Sequence, residues 1–535
     1  MCGVVWEICS KAENIGRQGP VQPAVKSIIK KMPTFFQAVC STGIALAIYT
    51  TSLAIYRLFL SPLAKFPGPT LAALTGWYEV FFDVLLGGQF MWEIERLHKK
   101  YGPIVRINPH ELHIKDADYY NTLYAGPTRR RDKYLWFLSV GAPASTFATA
   151  EYDHHRLRRG MLSPFLSKQA VRDLEGVIKG KLDLVCEHMK KAMRSGEAVE
   201  LHAYFVSFAV DVVSTCAFGE SGCFEVLRDR LDDRWKNAVT GAFAKLLLTR
   251  HFPWLVVVFR FLPVWASALV TPVVRYIDYM EKGVENQMQH VYAKNKDGVK
   301  ENGIFSQLMH NPKLPLKERT LHRLTDDAKF LMVAGIDAPS QVLAITMFHV
   351  LRSPLVCREL REELQDKTAH SQDALCLNML EKLPYLTAVI KEGLRVSAVV
   401  TSRLPRIAPN EMLEFRGWKI PPGTPVSMSS HFILRDPTIF PDPLVFQPER
   451  WLKQNTIGSN LDRYLVPFSK GSQGCLGPNM AHAWLYLALA TLLQRFEFSL
   501  FETTEENIRT VRDCFNGQTK PGQNNIRVKM VTEFT

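Results

Sequence analysis

The stretch that decides the fold runs Phe468-Ser-Lys-Gly-Ser-Gln-Gly-Cys-Leu-Gly477. Glycines at 471, 474 and 477 surround Cys475, so the backbone can turn sharply and approach a flat group closely. Main-chain N–H groups of such a loop can point at the sulfur and stabilise a thiolate that holds a metal. The apolar run after Gly477 predicts a helix, whose N-terminus should lower the pKa of the thiol. A buried structural cysteine is the ordinary alternative, and the glycine spacing argues against it.

Two charged motifs precede this loop. Glu392 and Arg395 lie three residues apart and face the same side of a predicted helix. Taken alone, such a pair is typical of a solvated surface, where it contributes a few tenths of a kcal/mol. Arg450 follows in Phe446-Gln-Pro-Glu-Arg-Trp451, and Cys475 comes after it. In this order and spacing the motifs resemble the cytochrome P450 family, from about Phe66 to the C-terminus.

The resemblance implies a mainly α fold with a small β-region, formed by a single large haem domain behind an N-terminal transmembrane helix. It implies a haem whose iron takes the Cys475 thiolate as its axial ligand, the metal ligand of the chain. Phe468, Gly471 and Gly477 would form the loop that holds the cofactor. The resemblance also implies that Glu392, Arg395 and Arg450 form a buried salt-bridge network that braces the haem face. Breaking one partner of such a pair typically costs about 3–5 kcal/mol.

The haem propionates need cationic partners, and arginine offers the best geometry for a carboxylate. His155 and Arg159, one helical turn apart, match the family's propionate-binding helix, with His155 standing where the family often has tryptophan. Arg406 is a second candidate. Arg156 and Arg158, which lie between the first two, are interpreted as residues of a solvated face.

Gln473 departs from the family pattern, which usually has arginine or histidine two residues before the cysteine. Glutamine donates a hydrogen bond without a charge, and a charge-assisted bond is roughly twice as strong as a neutral one. We therefore expect haem to be retained less firmly than in a variant with arginine at this position.

The segment 334–340 resembles the oxygen-activation segment of the family and lies in a long apolar helix predicted from about Leu324 to Leu351. The small pair Ala334 and Gly335 leaves room for dioxygen. Asp337 matches the acid that feeds protons inward, a task that needs a donor within hydrogen-bond reach or one water away.

The same segment departs from the family directly after the acid. Ala338 stands where a threonine hydroxyl is usual. Pro339 removes a backbone N–H and should bend the helix. The bend could open a water site, or it could bring the Ser340 hydroxyl into the missing role.

The composition bounds the class of protein. With 535 residues, 47% of them hydrophobic, the chain can bury a large core. The ten cysteines form no CxxC pair and no zinc-ligand spacing, which fits a reducing compartment. The net charge is +13, but the basic residues are interleaved with acidic ones, and no nucleic-acid motif accompanies them. A basic face for an acidic redox partner or an anionic membrane is expected, and nucleic acid is not.

The N-terminal region predicts a membrane anchor. Residues 35–57 include an uncharged run long enough to cross a bilayer, which needs about 20 residues. Residues 1–34 form an N-terminal extension, 58–70 a Pro-rich linker and 71–535 the haem domain. A buried core helix is the alternative for the apolar run. The resemblance implies a single-pass protein of the endoplasmic reticulum with a cytoplasmic catalytic domain, although lysines at 26, 30 and 31 do not support that orientation by the positive-inside rule.

The middle of the chain is predicted to be helical from about Lys168 to Arg361, with breaks at prolines 253, 263 and 272. The apolar stretch Phe252–Met280 favours a second membrane contact slightly over core packing. Residues that contact substrate are expected in three segments, 134–147, 243–248 and 397–404.

The resulting hypothesis is a membrane-anchored haem-thiolate monooxygenase that takes electrons from an NADPH–cytochrome P450 reductase. The residues of several motifs are similar to those of fungal P450s of specialised metabolism, including the trichodiene oxygenase group. This similarity implies a hydrophobic terpenoid or polyketide substrate. Because Ala338 lacks a hydroxyl, a haem-thiolate isomerase or dehydratase is an alternative. A haem-binding partner protein without catalysis is another.

Overall fold

The computed structural model describes residues 23–138, 141–228, 233–298, 302–368, 376–452 and 460–534. The chain divides into two compact units, Met1–Phe66 and Pro67–Thr535. The boundary falls within the predicted linker 58–70. Most of the predicted extension 1–34 lies outside the described residues.

The described part of the first unit is mainly a long helix, α1, which spans Pro23–Ile55 and continues as a π-helical turn over Tyr56–Leu60. The helix therefore begins before the apolar run that predicted it. Its apolar part, Gln37–Leu60, is long enough to cross a membrane, and none of it is buried. This exposure favours an anchor over a core helix, because exposed apolar surface of this extent is costly in water.

The second unit is mainly helical. Its helices, numbered in chain order from α2 to α20, are Thr70–Leu74, Trp77–Val80, Phe90–Tyr101, Tyr120–Leu123, Tyr152–Leu162, Lys168–Asp173, Glu175–Ser195, Leu201–Phe218, Arg234–His251, Trp254–Phe261, Val264–Val270, Val274–Lys296, Ile304–His310, Leu321–Arg352, Pro354–Thr368, Leu377–Leu380, Pro384–Ser397, Ser430–Leu434 and Pro478–Arg495. The predicted breaks at prolines 253, 263 and 272 separate α10 to α13. A small β-region completes the fold, so the predicted class, mainly α with little β, is confirmed.

Two of these helices form the centre of the core. Helices α9 (Leu201–Phe218) and α15 (Leu321–Arg352) are apolar enough to span a membrane, yet they are largely buried in the protein. A Cβ atom at Gly335 of α15 would come within 3.0 Å of Val213 on α9. The glycine therefore lets the two helices approach closely. In the same way Gly393 lies where α18 (Pro384–Ser397) passes close to α15. A Cβ at Gly393 would lie 2.2 Å from the side chain of Thr346.

Within the described residues the β-region comprises twelve short strands: β1 Ile104–Arg106, β2 Leu112–Ile114, β3 Asp132–Lys133, β4 Val199–Glu200, β5 Arg406–Ile407, β6 Leu413–Phe415, β7 Trp418–Ile420, β8 Pro425–Ser427, β9 Phe496–Leu500, β10 Arg512–Cys514, β11 Asn516–Gln518 and β12 Arg527–Glu533. The largest sheet has the order β1-β2-β8-β5-β3, and the antiparallel pair of β3 and β5 places Lys133 opposite Arg406. A second sheet is ordered β4-β12-β9, and β6–β7 and β10–β11 are hairpins.

Candidate active site

A cavity of about 460 Å³ lies beside α15 in the second unit. Its walls come from α15, the segment after β3, α10, the segment after α18, the hairpin β10–β11 and the cysteine loop. All three segments in which the sequence placed substrate contacts contribute to it. The rest of the wall includes Val213, Cys216, Phe330 and Phe515, which the sequence did not single out. Phe330 lies one turn before Ala334 on the same helix, so its position was available from helical spacing.

The cysteine loop is held by its own backbone. The Cys475 N–H donates to the carbonyl of Phe468 at 2.8 Å, and Gly474 donates to Gly471 at 3.1 Å. Gly471 has a φ of +76°, and a Cβ there would lie 2.2 Å from the carbonyl oxygen of Ala125. Only glycine fits at this position. A Cβ at Gly477 would meet nothing within 4 Å, so that glycine leaves open space beside the sulfur.

The Cys475 sulfur opens onto the cavity and is accessible there, although protein surrounds its other sides. The Gly477 N–H donates to Sγ at 3.4 Å at the start of α20. Burial raises the pKa of the thiol, while this N–H and the guanidinium of Arg159 oppose the rise. The net direction is opposite to the lowering expected from the helix N-terminus alone, because desolvation outweighs the helix.

The wall that α15 contributes contains Ala334, Gly335, Ala338 and Pro339. Ser340 is fully buried but does not line the cavity, and its hydroxyl donates to the Ile336 carbonyl at 2.6 Å. The geometry therefore does not support Ser340 as the substitute for a hydroxyl at 338. Its hydroxyl is already used by the turn of α15 that precedes it.

Asp337 is buried, and it does not line the cavity either. Its Oδ2 accepts hydrogen bonds from Gln341 at 2.8 Å and from Asn516 at 2.6 Å. Its Oδ1 has no partner among the described residues. Burial raises the pKa of this carboxyl to about 6, against the lowering effect of the two donors. Asn516 was missed from the sequence, because nothing local in the chain marks a contact made with α15.

Four basic side chains meet at one edge of the cavity: Lys133, His155, Arg159 and Arg406. Lys133 donates to the carbonyl of Phe147 at 2.6 Å, and Arg406 donates to that of Pro405 at 3.0 Å. Burial lowers the pKa of Lys133 well below its usual range and that of His155 to about 2, and the neighbouring cations add to both shifts. His155 is therefore neutral. Lys133 was not predicted.

Arg159 is directed to the cysteine loop, where its guanidinium donates to the carbonyls of Gly474 at 2.7 Å and of Cys475 at 3.2 Å. Gln473 lines the cavity, but its amide nitrogen donates to the Arg131 carbonyl. Its Oε1 is buried without a partner among the described residues. The residue at this position therefore supplies no charge to the cluster.

These residues fit a haem. A thiol faces the cavity, which is the ligand that a haem-thiolate iron needs. Buried cations that bond only to neutral carbonyls, as Lys133 and Arg406 do in their hydrogen bonds, are left without compensation of their charge. Propionates at this edge would compensate them.

Glu392, Arg395 and Arg450 lie together and are buried. Arg395 makes a bidentate pair with Glu392 at 2.7 and 2.9 Å, and Arg450 Nε donates to the same carboxylate at 3.1 Å. Trp451 Nε1 donates to its second oxygen at 2.9 Å. Glu392 and Arg395 have no exposed surface. Every charge of this network is therefore paired and hydrogen-bonded, the condition under which burial is tolerated.

One expectation at the basic helix is wrong. Arg156 is exposed, as predicted, but Arg158 does not lie on a solvated face. Its guanidinium donates to buried Glu318 at 2.7 Å and to Thr149 at 2.7 Å. Glu318 comes from a distant segment, so the local pattern around Arg158 held no sign of it.

Comparison with known proteins agrees with this geometry. The family model for cytochrome P450 matches residues 73–523. Conidiogenone synthase PchP450 of Penicillium rubens is 39% identical over 494 residues, covering 90% of this chain and 97% of the relative. Cytochrome P450 monooxygenase pbrB of Penicillium brasilianum is 37% identical, covering 91% and 96%. Tryptophan 6-hydroxylase fscE of Fusarium equiseti is 38% identical, covering 89% and 94%. This chain belongs to the cytochrome P450 family and is an oxidoreductase of its monooxygenase class.

Proposed function

We propose that this protein is a membrane-anchored monooxygenase that inserts one oxygen atom into a hydrophobic specialised metabolite. The observation that carries the proposal is the cavity, which has the Cys475 thiol and the small residues of α15 in its walls. The reaction balances as RH + O2 + NADPH + H⁺ → ROH + H2O + NADP⁺. Electrons come from NADPH through a separate NADPH–cytochrome P450 reductase, and the net charge of +13 suits an acidic partner of this kind.

Bound haem supplies the oxygen chemistry, with electron density from the thiolate favouring O–O cleavage. Cys475 would hold its iron, and Lys133 and Arg406, with His155 beside them, would hold its propionates. Arg159 clamps the cysteine loop through two carbonyls. Ala334 and Gly335 keep side chains out of the wall of the cavity, and Asp337 holds the proton that the reaction consumes. A raised pKa suits this task, because a carboxyl near its pKa both binds and releases protons at neutral pH.

The substrate is proposed to be large and apolar. Eight aromatic residues line the cavity: Tyr134, Phe137, Phe147, Phe243, Phe330, Phe468, Trp484 and Phe515. Phe147 stacks on Phe330 at 4.2 Å between ring centroids, and Phe243 is nearly parallel to Phe515 at 6.0 Å. Such walls favour flat or polycyclic apolar molecules. A terpenoid or polyketide scaffold fits them, and so does an aromatic molecule such as the tryptophan named for one relative.

The location is proposed to be the endoplasmic reticulum membrane, with Gln37–Leu60 as a single-pass anchor and the catalytic domain in the cytoplasm. A second apolar surface in the other unit supports a membrane contact there. Trp254, Phe261, Trp265 and Leu269, from α11 and α12, are between 59% and 85% exposed. Soluble surfaces rarely leave such residues grouped in water.

A haem-thiolate isomerase or dehydratase is the second candidate. Ala338 favours it, because no hydroxyl stands at this position and Ser340 does not reach the cavity. Oxygen use separates the two candidates, since an isomerase or dehydratase consumes neither O2 nor NADPH.

The test is to compare the metabolites of the strain that carries this gene with those of a deletion mutant. We expect a precursor to accumulate that lacks one or more oxygen atoms of the lost product. The purified enzyme with reductase and NADPH should then convert this precursor under ¹⁸O2, with the label in the product. An isobaric or dehydrated pair without label would replace the monooxygenase proposal by the second candidate.

A further inference from the structure

The acid of α15 and the cavity are linked by one side chain. Asp337 and its neighbour Gln341 do not line the cavity, whereas Asn516 lines it and donates to the Asp337 carboxylate at 2.6 Å. Asn516 is 3% exposed, and Asp337 is 1% exposed. We propose that Asn516 is a positioning residue that orients the Asp337 carboxyl toward the cavity and presents a polar group there that Ala338 lacks. This rests on the proposed role of Asp337 in proton delivery.

The structure holds Asn516 firmly. It begins strand β11 and pairs with Cys514 across a turn of one residue. Its backbone also bridges to Val400, and the next N–H, that of Gly517, donates to the Val399 carbonyl at 2.7 Å. A Cβ at Gly517 would lie 2.6 Å from Thr510 and 2.8 Å from Thr401. An amide on so constrained a strand is well placed to fix the direction of a carboxylate.

One oxygen atom of the Asp337 carboxyl has no hydrogen-bond partner among the described residues. Asn516 and Gln341 both donate to Oδ2, and Oδ1 is left buried without a partner among the described residues. A buried carboxylate oxygen without a partner is costly, unless water or a reacting group completes its hydrogen bonds. Because the Asn516 amide donates to Oδ2, Oδ1 remains free to bind and release a proton.

The same hairpin touches the substrate space. Phe515, the residue before Asn516, lines the cavity and has a φ of +80°, a left-handed conformation that non-glycine residues rarely adopt. Its carbonyl accepts from the Thr401 N–H at 3.1 Å. Substrate contact and the support of the acid therefore lie on adjacent residues, so that a bound substrate packs directly against the strand that orients Asp337.

The stoichiometry of electrons and protons predicts how the loss of the Asn516 side chain should divide O2 between product and peroxide. Each turnover delivers two electrons and two protons to O2, and one oxygen atom leaves as water while the other enters the product. When the protons do not reach the oxygen atom that must leave as water, both oxygen atoms leave together as hydrogen peroxide by O2 + 2e⁻ + 2H⁺ → H2O2, which uses the same electrons and protons without oxygenating the substrate. Asn516 transfers no proton in this scheme. It orients the Asp337 carboxyl, which does transfer one.

The experiment uses the full-length, haem-loaded protein with four sequences: wild type, Asn516→Leu, Gln341→Leu and Asp337→Asn. Asn516→Leu removes the donor that faces the cavity, and Gln341→Leu removes the other donor to the same oxygen. Infrared difference spectra over a pH titration follow the carboxyl band that Asp337→Asn abolishes. Peroxide released per NADPH consumed is measured with reductase and the precursor from the deletion mutant. The carbon monoxide difference spectrum verifies intact thiolate ligation in each variant.

We expect the infrared titration of Asp337 to move to higher pH in both leucine variants, because each has lost a donor to the carboxylate. Peroxide per NADPH should rise roughly tenfold in Asn516→Leu and in Asp337→Asn, because the acid that delivers protons is misoriented in the first variant and absent in the second. In Gln341→Leu it should stay near the wild-type value.

Three results would overturn the proposal for Asn516 alone. The first is an unchanged infrared titration in Asn516→Leu, which would mean that the amide does not hold the carboxyl. The second is an equal rise in peroxide in both leucine variants, which would mean that the cavity-facing position is irrelevant. The third is uncoupling by Asp337→Asn without uncoupling by Asn516→Leu, which would leave the proposed function intact. If Asp337→Asn itself remains coupled, the proposed role of Asp337 fails, and the role of Asn516 fails with it.

Discussion

Lys133 and Arg406 stand directly opposite each other across the antiparallel pair of β3 and β5, and both line the cavity beside the cysteine loop. Two buried cations on paired strands repel each other, and the hydrogen bonds of both go only to neutral carbonyls. Like charges directly opposite are destabilising in a sheet. The arrangement is stable once an anion lies between them, which is the reason to assign this edge to the haem propionates.

Replacing Lys133 with methionine should therefore weaken haem binding. A hydrogen bond to a charged group contributes about 1.5–3 kcal/mol, so haem should be lost roughly 10 to 100 times faster. The measurement is the rate of haem transfer to excess apomyoglobin. Arg416→Gln is the control, because the Arg416 side chain is exposed, pairs with Asp116 and does not line the cavity. Equal rates for wild type and Lys133→Met would show that Lys133 does not contact the cofactor.

Gln473→Arg should have the opposite effect on the same assay. The Gln473 amide now donates to the Arg131 carbonyl and brings no charge to the cavity. Since a charge-assisted bond is roughly twice as strong as a neutral one, haem loss should slow by about tenfold. Gln473→Lys tests whether charge alone is sufficient. Unchanged haem loss in both variants would mean that position 473 does not reach the propionates.

Glu392→Ala should destabilise the fold strongly. It leaves Arg395, which has no exposed surface, without its carboxylate, and it also removes the acceptor of Arg450. Breaking a buried pair by removing one partner costs about 3–5 kcal/mol. We expect little folded protein and a carbon monoxide spectrum without the thiolate band. Glu362→Ala, which removes an exposed pair with Arg358, is the matched control and should change stability by at most about 0.5 kcal/mol.

Asp337 should make stability depend on pH. Its pKa is raised to about 6 by burial. A raised folded-state pKa gives stability that is complete below the unfolded pKa and is lost as pH rises through about 6. Relative to Asp337→Asn, wild type should thus lose about 2 kcal/mol of stability between about pH 4 and pH 7. Thermal unfolding of both proteins at several pH values measures this, and a difference in Tm that does not vary with pH would contradict it.

The apolar surface on α11 and α12 should lie in lipid. Trp254 and Trp265 are 59% and 66% exposed, so lipids brominated in their acyl chains should quench their fluorescence in nanodiscs. Trp254→Phe/Trp265→Phe should remove a large part of the quenchable signal, whereas Trp418→Phe, on the hairpin β6–β7, should not. If the double variant loses no quenchable fluorescence, the second membrane contact does not form.

The features that could be predicted from the amino-acid sequence alone are those that depend on short spacings between residues. The glycines around Cys475, the pair Glu392 and Arg395 on one helix face, and the uncharged run that predicts the anchor are properties of neighbouring residues. Their physics is local: a turn needs glycine at 471, and residues three apart on a helix meet. The fold class follows from the family resemblance that these motifs carry.

Which distant residues complete the site became visible only in the folded protein. Asn516 reaches Asp337 across 179 residues of chain, and Arg158 reaches Glu318 across 160. Lys133 meets Arg406 through the register of two strands, and Ser340 turns its hydroxyl into its own helix. Burial, which raises the pKa of Cys475 where helix position alone predicted a lower one, is likewise set by distant segments. Desolvation and long-range contact arise only when the chain has packed, because they depend on which segments exclude water from which atoms.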